Sequence, residues 1–354
     1  MKRGKRRKGR KEISIKDRDD LSQFKESILE GITKIEARLH RIILFGDYSY
    51  EHLEKKLGKL KEDEAFDRKR MPRYHGSALR WFEKNKLTIF HTRIKNAPEC
   101  RIEFNFSSPE WLMLLCEKLP KLKISSIEYA VDIFCGNPHQ VADLFYLLLH
   151  YMYFTYKTVK VQHFGGSFYG YDEKEYQRGE NAGFRFGEIE NNHVKIYERG
   201  DDENRQKNGK EKTPRPWYHD DVDRVRVEFT FRRKYLLKNG PDELKDLKVH
   251  PEFEHRICRM FQFKVFKRPG KLPEEIEENY WYKDEKGKKV SREIIQEVYI
   301  HANKSGMKNP RQYLKNAKGF KALKRKLTLA MQEFDGDWVE SRKRFSKKQL
   351  GVSN

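Results

Sequence analysis

Several short stretches of this chain alternate apolar and polar residues with a period of two, and three of them place acids at the polar positions. In a pleated strand successive side chains point to opposite faces. "RIEFNF" therefore sets Ile102, Phe104 and Phe106 on one face and Arg101, Glu103 and Asn105 on the other. "IEYAVDIF" sets Ile127, Tyr129, Val131 and Ile133 against Glu128, Ala130 and Asp132. "RVRVEFTF" sets Val225, Val227, Phe229 and Phe231 against Arg226, Glu228 and Thr230. A fourth stretch, "HVKIYERG", projects Lys195, Tyr197 and Arg199 together, with Val194 and Ile196 opposite. A single acid in a strand is ordinarily solvated or salt-bridged. Repeated on neighbouring strands of one sheet, the pattern collects carboxylates, cations and a phenol on one face.

Composition says what such a face would meet. Lys and Arg number 76 against 54 Asp and Glu among 354 residues, a net charge of +22. That excess makes a polyanion the default partner, through phosphate neutralisation and counterion release. A nucleic acid is the expected partner, because no basic amphipathic helix with a clear apolar stripe argues for a membrane surface. With 37% hydrophobic and 13% aromatic residues the chain is expected to fold around a real core. Its length fits about two domains. Cys100, Cys116, Cys135 and Cys258 form no CxxC pair, which argues against a zinc ribbon or disulfide framework and fits a reducing, cytoplasmic setting. No apolar run follows the basic "KRGKRRKGRK", so no secretory signal is expected there. "VADLFYLLLHYMYF" is too short and too interrupted to span a bilayer.

Along the chain, residues 1–20 read as a basic flexible arm. "EARLHRIILFGD" reads as a strand and "YSYEHLEKKLGKL" as a helix with a serine start. "KLTIFHTRI" and "ECRIEFNFS" read as two strands, "SPEWLMLLCEKL" as a helix and "ISSIEYAVDIFC" as a strand. "HQVADLFYLLLHYMYF" reads as a long buried helix. Further strands follow through "KTVKVQHFGG", "GFRFGEI" and "DRVRVEFTFRR", with a polar, proline-bearing insertion after Gly200. Beyond about residue 240 the pattern turns to Lys- and Arg-rich helices. The expectation is an α+β fold, an antiparallel sheet flanked by helices, with a smaller basic helical region at 241–354.

Converging carboxylates make the oxygen-rich site that Mg²⁺ or Mn²⁺ prefers. Glu128 and Glu228 are the first candidate ligands, Glu103 and Asp132 the next. A metal there polarises a phosphoryl oxygen, while Lys195 helps ionise the Tyr197 phenol for attack on phosphorus. Arg101, Arg199 and Arg226 are the candidate DNA contacts. Tyr169, Tyr171 and Tyr176 in "SFYGYDEKEY" are rival nucleophiles. His250 and His255 lack a metal-binding context, no His-hydrophobic-His triplet occurs, and "GGSFYG" lacks the Gly-Lys-Ser/Thr of a P-loop.

In order and approximate spacing, "RIEFNF", "SSIEYAVDIF", "HVKIYERG" and "VRVEFTFRR" resemble the plasmid rolling-circle replication initiators of the Rep_trans type. The resemblance covers about residues 36–240. It implies a HUH-like nicking and joining domain there, with Tyr197 within "KIYER" as the DNA-nicking nucleophile. Glu128, Glu228 and Glu103 fall on the family's strand acids. It further implies a double-stranded origin and a single-stranded nick region as substrates, origin recognition in 241–354, a homodimer, and a host helicase as partner. Arg199 stands where the family has lysine, "FGEIENN" replaces its "G-S-R-x-S" segment, and the insertion after Gly200 is unlike a compact member. The same chemistry serves a strand transferase of a mobile element or phage. A non-catalytic DNA-binding regulator would use the basic surface alone.

Overall fold

The computed structural model describes residues 21–58, 61–62, 75–81, 85–91, 100–105, 109–136, 138–155, 161–164, 183–187, 192–199, 224–247, 261–267, 272–274, 276–277, 281–283, 289–291 and 295–349. The basic arm, the rival tyrosines 169, 171 and 176, the insertion after Gly200, and His250 and His255 lie outside these residues.

A single antiparallel sheet of ten strands organises the fold. Strands are numbered in chain order: β1 (Ile32–Gly46), β2 (Lys61–Glu62), β3 (His75–Trp81), β4 (Asn85–His91) and β5 (Cys100–Asn105). β6 (Lys123–Cys135), β8 (Val161–Phe164), β9 (Gly183–Phe186), β10 (His193–Arg199) and β11 (Arg224–Arg232) complete it. Their spatial order is β2-β3-β4-β5-β1-β6-β11-β10-β9-β8. All four alternating stretches of the sequence thus fall in one sheet.

Four helices precede β8: α1 (Leu21–Glu30), α2 (Tyr50–Leu57), α3 (Pro109–Lys118) and α4 (Pro138–Tyr151). α2 begins as its sequence suggests, with the Ser49 hydroxyl accepting from the His52 backbone N–H at 3.3 Å. It ends at Gly58, whose φ of 100° is open to glycine and costly for other residues. The helix expected over 139–154 stops at Tyr151. Met152–Phe154 leave it as a short strand, β7.

β7 joins β12 (Phe261–Phe266) and β15 (Leu314–Asn316) in a small second sheet, and β13 (Trp281–Lys283) pairs with β14 (Lys289–Ser291). Tyr153, Phe266, Ile276, Ile295, Val298 and Ala302 form the core of this smaller region, with the helix Ile295–Lys304 packed in it.

The long helix Lys321–Gln349 does not belong to that core. Its buried side chains Leu323, Leu327, Met331 and Trp338 join the main core, with Phe320 just ahead of it. Leu327 and Met331 close against Val131, Val227 and Phe229 on the apolar face of the sheet, together with Leu148 of α4. A boundary at residue 240 therefore does not separate two cores, because the chain returns to cover the first. Leu112 and Met113 of α3 meet Trp338, Leu244 and Leu247 around one interior gap.

Trp338 is the largest fully buried side chain of that helix. Trp338→Ala should destabilise the whole sheet domain by about 3–5 kcal/mol. The change should appear as a lower denaturant midpoint in a single cooperative transition.

Candidate active site

β6 and β11 are buried on both faces. A strand covered on both sides ordinarily reads as a continuous apolar run. These two carry Glu128, Asp132 and Glu228 instead, all buried. Burying a carboxylate is costly unless cations and hydrogen bonds replace its water, so the partners define the site.

The acids divide into two groups. Asp132 is fully buried beside the equally buried Arg226, which donates Nε to Oδ1 at 2.5 Å and an Nη2 proton to Oδ2 at 2.7 Å. Arg38 of β1 also binds Asp132, and Arg224 Nε stands 3.4 Å away. Burial pushes the Asp132 carboxyl up, but these guanidinium groups outweigh it and hold it far below the usual carboxylate range.

Glu128 and Glu228 form the second group with Lys195, Tyr197 and a residue the alternation pattern missed, His40. Lys195 Nζ lies 3.0 Å from Glu228 Oε2 and 3.5 Å from Glu128 Oε2. The Tyr197 hydroxyl donates to Glu228 Oε1 at 2.5 Å. His40 Nε2 stands 3.2 Å from Glu228 Oε1 and 3.6 Å from Glu128 Oε1. Thr230 donates to Glu128 Oε2 at 3.0 Å, and Arg41 reaches the same oxygen at 3.2 Å. Burial raises the Glu128 pKa, but Lys195, Arg41 and His40 together pull it down to about 2. Glu228 is likewise lowered: burial opposes the shift, while His40, Lys195 and the Tyr197 hydrogen bond favour it.

His40 reaches this cluster through a β-bulge. Leu39 pairs with Tyr129 and Arg41 with Glu128, so β1 uses two steps where β6 uses one. Ile35, Ala37 and Leu39 keep one phase and Ile42 and Leu44 the other. Apolar burial resumes after a three-residue step. That step, Leu39 to Ile42, is legible in "ARLHRIIL". It marks the place where His40 and Arg41 both turn toward Glu128.

The ligand atoms of His40, Glu128 and Glu228 all lie within 4.8 Å of one another, the one such grouping of His, Cys, Asp and Glu among the described residues. Metal–ligand bonds of about 2.1 Å set neighbouring donors about 3–3.5 Å apart. The spacings of 3.2 and 3.6 Å from His40 Nε2 fit a single small divalent cation. The cluster can therefore coordinate one.

The other expected site residues are placed differently. Glu103 shares the polar face, but β1 separates β5 from β6, and Arg101 donates to Glu103 at 2.7 Å. Asp132 is committed to its arginines. Arg226, expected to reach DNA, is instead fully buried, with its Nε and Nη2 given to Asp132. The backbone of Arg199 pairs with Arg224 at the end of β10, and its side chain lies outside the described residues.

No protein-family model matches the chain, and no curated protein matches it. Among solved structures, a rolling circle replication initiator protein from Geobacillus stearothermophilus shows a weak, partial resemblance. It has 13% identity and a TM-score of 0.37, over 68% of this chain and 90% of that one. None of the described helices is long and apolar enough to cross a membrane.

Two solution tests follow from the cluster. The folded pKa of Glu128, about 2, lies below its ordinary 4.5, so its ion pairs stabilise the fold above pH 4.5. That contribution is lost as pH falls from 4.5 toward 2. Glu128→Gln removes the carboxylate paired with Arg41 and one of the two that face Lys195, which keeps Glu228. It should lower the denaturant midpoint at pH 7 and make the loss of stability in acid shallower than in the wild type. Separately, saturating Mn²⁺ should raise the melting temperature by a few degrees through binding to the folded state. His40→Ala should abolish most of that increment.

Proposed function

We propose that this protein is a metal-dependent DNA nicking and joining enzyme of the rolling-circle initiator kind, with Tyr197 as nucleophile. The observation that carries this reading is the hydrogen bond from the Tyr197 phenol to Glu228, an acid that also belongs to the His40–Glu128–Glu228 cluster. The nucleophile and the candidate cation site thus share one carboxylate. The strand motifs around Tyr197, Glu128 and Glu228, and the net charge of +22, support the same reading.

The chain's own residues divide the work. The hydrogen bond to Glu228 holds the phenol oxygen in place, and a β-strand keeps that geometry within narrow limits. Glu228 is ionised at neutral pH and accepts the phenol proton. Lys195, two residues away on the same face, favours the developing phenolate. A bound divalent cation supplies Lewis-acid polarisation of the phosphoryl oxygen. The donor set of one imidazole and two carboxylates suits Mn²⁺ better than Mg²⁺, which favours oxygen ligands alone.

The Tyr197 oxygen forms a bond to phosphorus as the bond from phosphorus to the 3′ oxygen breaks. The phenol proton passes by way of Glu228 to solvent, and the departing 3′ oxygen takes a proton from solvent to become a hydroxyl, so no net proton is gained or lost. One phosphodiester is exchanged for another, so the 5′ phosphotyrosine retains the bond energy and the strand can be rejoined without ATP. The expected substrate is a double-stranded origin whose nick region is presented as a single strand. A homodimer and a host helicase are the partners this reading implies.

Incubation with a labelled single-stranded oligonucleotide carrying the origin and Mn²⁺ should give a denaturant-resistant protein–DNA adduct. Tyr197→Phe should lose the adduct by a factor of at least about 10³, since it removes the attacking atom itself. Chelation with EDTA should stop adduct formation in the wild type. An adduct that survives Tyr197→Phe but requires Tyr169, Tyr171 or Tyr176 would transfer the role to that segment.

A further inference from the structure

A second concentration of charge lies behind the sheet, on the side of the covering helices and away from Tyr197. It gathers where the long helix Lys321–Gln349 begins. Lys315, Lys318, Lys321 and Lys324 are exposed there, and Lys25 and Lys264 are half-buried. Four separate elements, α1, β12, β15 and the long helix, bring them together. Lys25 of α1 donates to the Lys318 carbonyl oxygen at 2.7 Å. Lys264 of β12 pairs in register with Asn316 and donates to its Oδ1 at 2.8 Å. Burial first, and the neighbouring charge of Lys324 second, depress the Lys264 pKa.

Among the described residues none of these six lysines has a carboxylate partner. Clustered like charges raise the energy of the folded chain unless a counter-charge arrives from outside. The surface is also firmly seated. Phe320 lies beneath it, stacked on Phe263 with centroids 4.5 Å apart and tilted against Tyr151 at 4.8 Å. Because Phe320 is buried, the patch presents ammonium groups rather than aromatic faces. Stacking faces are what single-stranded nucleic acid uses. Lysine ammonium groups act as point charges that neutralise backbone phosphates.

We propose that this lysine surface grips duplex DNA by its phosphates, without reading bases, on the opposite side of the sheet from the nicking site. The inference rests on the DNA-processing reading above and adds to it a division of labour. The helix side of the sheet retains the duplex, and the polar face works on one strand.

The test is a triple variant, Lys318→Gln/Lys321→Gln/Lys324→Gln, with the matching triple Lys→Arg variant as control. Fluorescence anisotropy with a random-sequence duplex, measured from about 50 to 200 mM salt, reads the interface directly. The Gln variant should bind the duplex at least about tenfold more weakly at the low-salt end. Its log–log salt slope should shrink by about 2–3, close to one per lost phosphate contact. Adduct formation by Tyr197 on a short single-stranded oligonucleotide should stay within about twofold of wild type, and the Arg variant should keep both activities. Unchanged duplex affinity and slope would overturn the proposal. So would loss of both duplex binding and the single-strand adduct in a variant with a wild-type circular dichroism spectrum, because the patch would then serve the chemistry itself. If the wild type forms no adduct while the Gln variant still loses duplex binding, the lysine surface stands and the nicking reading fails.

Discussion

Charge cancellation inside β6 and β11 is the constraint on which the polar half of this fold depends. Three carboxylates, from Glu128, Asp132 and Glu228, sit where a doubly covered strand would ordinarily place valine or isoleucine. They are held ionised by Arg38, Arg41, Arg224, Arg226 and Lys195, drawn from three neighbouring strands. Removing one member of such a buried set strands the others, at a cost of about 3–5 kcal/mol. An apolar replacement of the whole set would spare that risk, so stability alone does not account for it. What the arrangement does provide is a set of ionised groups held at fixed positions inside the sheet.

The two acid groups tolerate burial by different means. Asp132 is saturated: its oxygens are occupied by guanidinium donors from β1 and β11, and it locks those strands together. Glu128 and Glu228 turn their Oε2 atoms to Lys195 and their Oε1 atoms toward His40. That leaves the cluster able to exchange partners at one edge while the other edge stays neutralised. Two acids on the same strand thus have separate tasks, set by which cations face them.

Much of this was legible in the residues. Period-two alternation put Glu128, Asp132, Glu228, Lys195 and Tyr197 on one face, and the sheet order brings their strands side by side. Alternation alone could not say which acids converge, because convergence depends on strand order as well as phase. Glu103 has the right phase and lies one strand too far away. Arg226 also has the right phase, but a pattern that separates two faces does not tell a solvated face from a covered one. That Lys- and Arg-rich helices lie beyond about residue 240 was legible, but the extent of the long one, Lys321–Gln349, and the surface it packs against were not. Its apolar stripe fits any apolar surface, and alternation and periodicity do not say which one it covers.

His40 owes its position to an extra residue in β1 and not to its own chemistry. Before the bulge the strand buries Leu39, and after it Ile42 and Leu44. Deleting one residue at this point would do more than remove a donor. It would replace the three-residue step by a plain two-residue alternation, in which Leu39, Ile42 and Leu44 all keep the core face but only one side chain, in place of two, remains between Leu39 and Ile42 to face Glu128. Substitutions at position 40 are therefore gradual changes, but changes of length are not. Relatives of this chain that keep the cluster are bound to keep the number of residues between Leu39 and Ile42, whatever happens to their identities elsewhere in the strand.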